Sequence, residues 1–296
     1  MSDTTGKLHA ISFDVEEFFQ VANLRGRFSK RDWDATESRL DVGMDAILDC
    51  LEKNDAKATM FFLGWVAERR PDLVARCHAA GHEVASHGYE HDFLWDIGQD
   101  GLDEDLGKTE EAIMAAGVPR PVGFRASTFT LTKRTWWAFD TLVRRGYLYD
   151  SSVHPVRHPV YGVPDFDPGI SRVEADGGSI VEFPVATFPV MGKNLPMGGG
   201  GYFRLFPGAV IRGAVASLEK KGRAAALYLH PWEFDPDQPR QPAPAFKRFR
   251  HYVGLEKTLP RLDKLLATFR FGTMRQVLEN EGFLEPEAST AEPQAS

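Results

Sequence analysis

The stretch Pro71-Asp72-Leu73-Val74-Ala75-Arg76-Cys77-His78-Ala79-Ala80-Gly81-His82-Glu83-Val84-Ala85-Ser86-His87 holds one complete unit of the fold. Pro71 suits only the first turn of a helix, because its ring fixes φ and it has no N–H to donate. Gly81 is the residue type on which helices commonly stop. His82 to Ser86 then reads as a strand, and that strand delivers His87. Directly beyond it lies Gly88-Tyr89-Glu90-His91. Two histidines four apart share one side of a helical turn. Such a pair suits a divalent metal but needs a carboxylate to complete a site.

The same unit repeats outward in both directions. Upstream, His9 to Phe13 is a short apolar strand ending at Asp14. Arg39 to Lys53 has helical spacing at Leu40, Met44, Ile47, Leu48 and Leu51, and Ala58 to Leu63 is a buried strand. Downstream, the helix Leu102 to Ala116 ends at Gly117, and the strand Pro121 to Phe124 ends at Arg125. The helix Thr132 to Arg145 is stopped by Gly146, and Tyr147 to Tyr149 ends at Asp150. Ile180 to Phe183 is a strand, Pro207 to Lys221 is a helix before Gly222, and Ala224 to Leu229 ends at His230. About seven strands alternating with helices predict an α/β fold, a distorted (β/α)7-type barrel of parallel strands.

No Gly/Ser linker or composition break precedes residue 285. One domain over 1–284 is therefore expected, with a tail at 285–296 whose Glu, Pro, Ala and Ser content predicts disorder. Two loops are long, Val153 to Gly178 and Thr187 to Phe206, and long loops in compact domains usually serve a binding site. The run Met197-Gly198-Gly199-Gly200-Gly201 lacks the Lys-Ser/Thr ending of a phosphate loop.

The 296 residues carry a net charge of −7, which speaks against a nucleic-acid surface. Hydrophobic residues make up 43%, enough for a sizeable core. No run of about 18 apolar residues is present, so no membrane span is expected. Met1 to Lys7 is polar and lacks the apolar centre of a secretory signal, which fits a cytoplasmic location. Cys50 and Cys77 fall in helix-like stretches and read as buried free thiols. Composition assigns no oligomeric state.

Asp14, His87, Arg125, Asp150 and His230 each stand just past a proposed strand. In a parallel barrel those ends converge on one face, where substrates bind. Alone, Asp14 reads as a helix cap and His230 as a core histidine. Five polar groups from five strands point instead to a reactive site.

Further stretches sharpen this reading: Phe13-Asp14-Val15-Glu16-Glu17, Gly123-Phe124-Arg125-Ala126-Ser127, Tyr149-Asp150-Ser151-Ser152, Gly199-Gly200-Gly201-Tyr202-Phe203-Arg204, Tyr228-Leu229-His230-Pro231-Trp232-Glu233 and Arg248-Phe249-Arg250-His251-Tyr252. With these and the two histidines, the chain resembles the polysaccharide deacetylases of the NodB-homology group. It is most similar to their exosortase-associated, exopolysaccharide-locus branch, from Ile11 to about Gly282, with a branch-specific extension from about 230. The resemblance implies a NodB-like barrel and metal-assisted removal of N-acetyl groups from amino-sugar units of an exopolysaccharide or its precursor. It implies Asp14 as general base and Glu16, His87 and His91 as metal ligands. Arg125 would orient Asp14, His230 would be the general acid, and Asp150 would orient His230. A backbone N–H just after Arg125 would help hold the oxyanion.

Zinc is the default ion, and Fe, Co or Ni also suit two histidines and a carboxylate. The implied partner is an N-acetylated glycan or lipid-linked oligosaccharide. Two departures stand out. Glu16 occupies a position where many relatives have Asp, with Glu17 beside it as the other possible ligand. Ser127 stands where the third motif usually has proline. Tyr202 and Trp232 offer flat faces for a sugar ring, and Thr128 and Arg204 complete the expected substrate contacts, with Arg240 and Arg250 as further candidates. His78 and His82 are not expected to be ligands. Three other functions fit fewer of these residues: a cyclic ureide or imide hydrolase, a catalytically silent carbohydrate-binding barrel, and a non-haem iron oxygenase.

Overall fold

Strand β1 (Leu8–Val15) alternates its side chains between two cores, and this alternation organises the molecule. Ile11, Phe13 and Val15 face outward to the helical layer, with Met44, Ile47 and Leu51. Ala10 faces inward, where Phe61, Ala85, Tyr149 and Val181 fill the barrel. The helix Met274–Asn280 plugs the N-terminal mouth with Met274, Val277 and Leu278. Burying one such aromatic or aliphatic side chain stabilises the fold by about 1.5–3 kcal/mol.

The computed structural model describes residues 6–158, 160–190 and 193–286. The expected disordered tail lies outside the described residues from 287 onward. The remaining strands are β2 (Thr59–Phe62), β3 (Glu83–Ser86), β4 (Gly123–Phe124), β5 (Tyr149–Asp150), β6 (Ser171–Ala175), β7 (Gly178–Glu182), β8 (Thr187–Val190), β9 (Lys193–Pro196), β10 (Ala226–Leu229) and β11 (Arg270–Gly272). The main sheet runs β10-β1-β2-β3-β4-β5-β7-β6, and β11 also pairs with β1. Its pairs are parallel except the hairpin β6–β7.

Irregular backbone bridges the gap between β7 and β10. Ala186 N–H donates to the Ala226 carbonyl, Gly198 N–H to the Ala186 carbonyl, and Tyr228 N–H to the Gly198 carbonyl. The expected distorted barrel is thus present, and each expected strand has its counterpart in it. Both ends of the chain meet in it, since β1 lies between β10 on one side and β2 and β11 on the other.

Three local expectations need correction. The loop 153–178 contains β6, and the loop 187–206 contains the β8–β9 hairpin and the helix Gly200–Leu205. The helix expected from Leu102 begins at Leu94, with Gly98 at φ 68° breaking its path. The helix expected over Thr132–Arg145 splits into a 3₁₀ turn, Lys133–Thr135, and a helix, Ala138–Arg144. A reciprocal cap between Thr132 and Thr135 tightens that first turn. No helix among the described residues is long and apolar enough to cross a membrane. Cys50 and Cys77 are buried and unpaired.

Candidate metal centre and active site

The inward face of β1 ends in Ser12 and Asp14, and Glu16 follows; all three are buried. Arg125, fully buried just after β4, reaches across the barrel to them. Its Nη1 donates to Asp14 Oδ1 at 2.6 Å and to Ser12 Oγ at 2.9 Å. Nε and Nη2 donate to the carbonyl and hydroxyl of Ser151, each at 3.1 Å, and the guanidinium lies 4.2 Å from the Phe61 ring centroid. Burial opposes the charge of Asp14, yet Arg125, followed by His87 and His230, outweighs it and keeps the carboxyl below its ordinary pKa.

Glu16, His87 and His91 each present a ligand atom, and these atoms lie within 4.8 Å of one another. Nδ1 of His87 meets the Arg125 carbonyl at 2.8 Å. That contact makes Nδ1 the protonated nitrogen and leaves the Nε2 lone pair for the centre. Burial lowers the His87 pKa to about 4, so the ring is neutral at pH 7, as coordination requires. Glu16 Oε2 lies 3.0 Å from His91 Nε2, yet it is buried without a hydrogen-bond partner. Such an orphaned carboxylate oxygen between two imidazoles fits a divalent cation. Glu17 turns away: it accepts from the Ser38 hydroxyl and from Arg39 N–H at 3.2 Å.

The histidine segment is not the helical turn that the four-residue spacing suggests. It is a loop in which Gly88 and His91 take left-handed φ values of 76° and 56°. Neighbouring groups hold it there. Gly64 N–H, opening the helix Gly64–Arg69, donates to the Gly88 carbonyl, and Trp65 N–H donates to the Tyr89 carbonyl. Asp105 accepts from Tyr89 N–H at 2.9 Å, and Arg25 donates to the His91 carbonyl at 3.0 Å.

On the opposite side, His230 Nε2 lies 3.8 Å from Asp14 and 3.6 Å from Glu16. Its Nδ1 meets Glu233 Oε2 at 3.1 Å. Burial works against protonation, but the Glu233 hydrogen bond and the adjoining carboxylates push its pKa up to about 9. The partner of His230 is therefore Glu233, not Asp150. Asp150 accepts instead from the N–H and hydroxyl of Ser152, at 2.9 and 2.6 Å. It is buried beside Glu182, and desolvation raises the pKa of both carboxyls. The N–H just after Arg125 is also taken: Ala126 N–H donates to Ser152 Oγ at 2.7 Å. That donor is not free for an oxyanion.

The expectation for Arg204 also needs correction. That arginine is buried, donates to Glu233 Oε1 at 2.7 Å, and binds the carbonyls of Arg250, His251 and Val253. It anchors the carboxylate behind His230 and is withdrawn from substrate. The glycine run serves the same region. A Cβ at Gly200 would sit 1.9 Å from Glu233 Oε2, and one at Gly199 would sit 2.5 Å from the Tyr228 hydroxyl oxygen. Only bare backbone fits there.

The site opens into a cavity of about 440 Å³. Asp14, Glu16, His87, His91 and His230 form its floor, and Thr128 and Trp232 are in its walls. Thr128 takes a left-handed φ of 54°. Trp232 is sandwiched, stacked 4.3 Å from His251 and 5.3 Å from His230. Tyr202 does not line the cavity and stacks on Phe206 instead. His82 binds Ala58 N–H on the far side of the sheet ends. Sequence reasoning gave no role to Glu233, although its i,i+3 spacing from His230 was the available signal.

The fold and these side chains define a class: a parallel barrel with a His/His/carboxylate triangle, and with Asp14 and His230 beside it, at the C-terminal strand ends. Residues 34–143 match the polysaccharide deacetylase family, and residues 151–279 match a domain of unknown function, DUF3473. The second match contains His230 and Glu233, while Asp14 and Glu16 precede both. A peptidoglycan-N-acetylglucosamine deacetylase of Bacillus cereus is 39% identical over 67 residues, 23% of this chain and 24% of that protein. A chitooligosaccharide deacetylase of Rhizobium leguminosarum bv. trifolii is 39% identical over 70 residues, 24% of this chain and 33% of that protein. These matches thus span about a quarter to a third of the relatives' length. Among solved structures, a Mycobacterium smegmatis protein named for the polysaccharide deacetylases aligns with a TM-score of 0.62 at 21% identity, covering 100% of this chain and 98% of that one. The peptidoglycan deacetylase PdaC of Bacillus subtilis aligns with a TM-score of 0.52 at 14% identity, covering 95% and 94%.

Proposed function

We propose that this protein is a metal-dependent hydrolase that removes N-acetyl groups from amino-sugar units of an exopolysaccharide or its lipid-linked precursor. The observation that carries the reading is the convergence of Glu16, His87 and His91, flanked by Asp14 on one side and His230 on the other. The relatives named as deacetylases of N-acetylated sugars support it. A divalent cation held by those three residues would polarise the amide carbonyl and acidify water; zinc is our choice.

The protein's own groups handle the protons. Asp14, kept ionised by Arg125, takes a proton from the attacking water. His230, held by Glu233, gives a proton to the departing amine, which leaves poorly as an anion. Each transfer contributes roughly 10²–10⁴-fold. Arg125 acts through Asp14, fixing the direction of its free oxygen. Asp150 acts at longer range, through Ser152 and the Ala126 backbone. The unpaired buried thiols accord with a cytoplasmic setting, which cell fractionation tests.

Acetate release from N-acetylglucosamine oligomers, abolished by a chelator and restored by added zinc, is the expected result. Ureide opening without acetate release would move the assignment to a cyclic amide hydrolase. Glycan binding with no product would reduce the protein to a lectin.

A further inference from the structure

One element at the cavity mouth is left unused by this chemistry. The helix Ala245–Tyr252 carries Lys247, Arg248 and Arg250, and no acidic residue lies between Asp237 and Glu256. The chain as a whole has a net charge of −7, so this stretch is a basic island on an acidic protein. Phe246, Lys247 and Arg250 line the same cavity whose floor is the metal triangle. Among the described residues, none of Lys247, Arg248 or Arg250 makes an ion pair, although many other basic side chains of the fold do. Phe246 is 70% exposed, with the Arg250 guanidinium 5.8 Å from its ring centroid. Across the mouth, His158 and Tyr161 stack at 3.7 Å and present a second flat face.

We infer that this rim is a subsite for a negatively charged sugar residue flanking the N-acetylated one. The inference deepens the deacetylase reading and rests on it for the substrate's N-acetyl group. Flat faces from Phe246 and from the His158–Tyr161 stack suit pyranose rings, and unpaired cations beside them suit a carboxylate. The unpaired cations stand at the rim and not on the floor, so the charged residue sits at the rim while the neutral acetamide reaches the metal triangle. Phe249, 54% exposed, and Arg248 lie on the same helix but outside the cavity lining, which supplies a built-in control.

The test is calorimetric binding of the full chain to two octasaccharides. One alternates N-acetylglucosamine with glucuronate; the other is all N-acetylglucosamine. The carboxylated glycan is expected to bind roughly tenfold tighter at low salt, two cations each adding a few-fold, with a preference that shrinks as salt rises. Lys247→Gln/Arg250→Gln is expected to erase the preference, and Arg248→Gln to keep it. Equal affinities for both glycans, or a preference surviving the double variant, would overturn the inference. So would tight binding to phosphatidylglycerol vesicles without glycan preference, which would make the helix a membrane contact. Acetate release is measured in parallel: its absence with the preference intact sinks the deacetylase reading alone.

Discussion

At the scale of single residues, the site depends on which atom each buried polar group faces. Asp14→Asn keeps the shape of the Arg125 contact but removes the proton acceptor. Acetate release should fall about 10²–10⁴-fold, while bound metal per chain stays unchanged by elemental analysis. Glu233→Gln keeps volume and removes the charge that supports His230. Its kcat should drop at least about tenfold with KM nearly constant, because the lost interaction acts on the donor and not on substrate binding. Gly200→Ala should reproduce that drop by forcing Glu233 aside. The sequence revealed the strand-end positions of Asp14, Arg125 and His230, because each directly follows an apolar residue that closes a strand-like run, Phe13, Phe124 or Leu229. It did not reveal which carboxylate meets His230. Asp150 and Glu233 are both near strand ends, and only the 3₁₀ turn Pro231–Phe234 folds Glu233 back under the imidazole.

At the scale of elements, two buried histidines tie strands to their neighbours through backbone groups. His9 Nδ1 accepts from Ala225 N–H at 3.1 Å at the head of β10, and His82 Nδ1 accepts from Ala58 N–H at 3.3 Å at the head of β2. A protonated imidazole cannot accept these bonds. Burial lowers both pKa values to about 4. Between about pH 6.5 and 4 the unfolded chain therefore binds protons that the folded chain refuses. The stability that these two histidines contribute should be intact above about pH 6.5, decline through that window, and be lost below it. Each histidine contributes at most about 3 kcal/mol to that fall. Denaturant midpoints across the range check this, and His9→Gln should flatten part of the slope. The loop carrying His91 was harder to foresee. Spacing alone gives a helical turn, whereas hydrogen bonds from Gly64, Trp65 and Arg25 impose left-handed backbone instead.

At the scale of the whole molecule, the centre joins β1 to the loop that follows β3. A cation bound there should tie these parts together. Adding zinc to chelated protein should raise the melting temperature by several degrees, and His87→Ala/His91→Ala should abolish the rise. The barrel itself was legible because strand, polar residue, helix and stop recur with regular spacing. The bridge between β7 and β10 was not, since Ala186 and Gly198 join the sheet singly and leave no periodic trace.

One consequence follows from the register of the sheet. Phe13 stands opposite Leu229 in the β1–β10 ladder, so Asp14 and His230 are the next residues on adjoining rungs. Their separation is inherited from main-chain geometry, while the proposed glycan rim lies outside the sheet, on the helix Ala245–Tyr252 and the segment with His158 and Tyr161. Warming should therefore blunt capture before turnover: Michaelis constants climbing well below the melting point, with maximal rate still following its normal thermal rise.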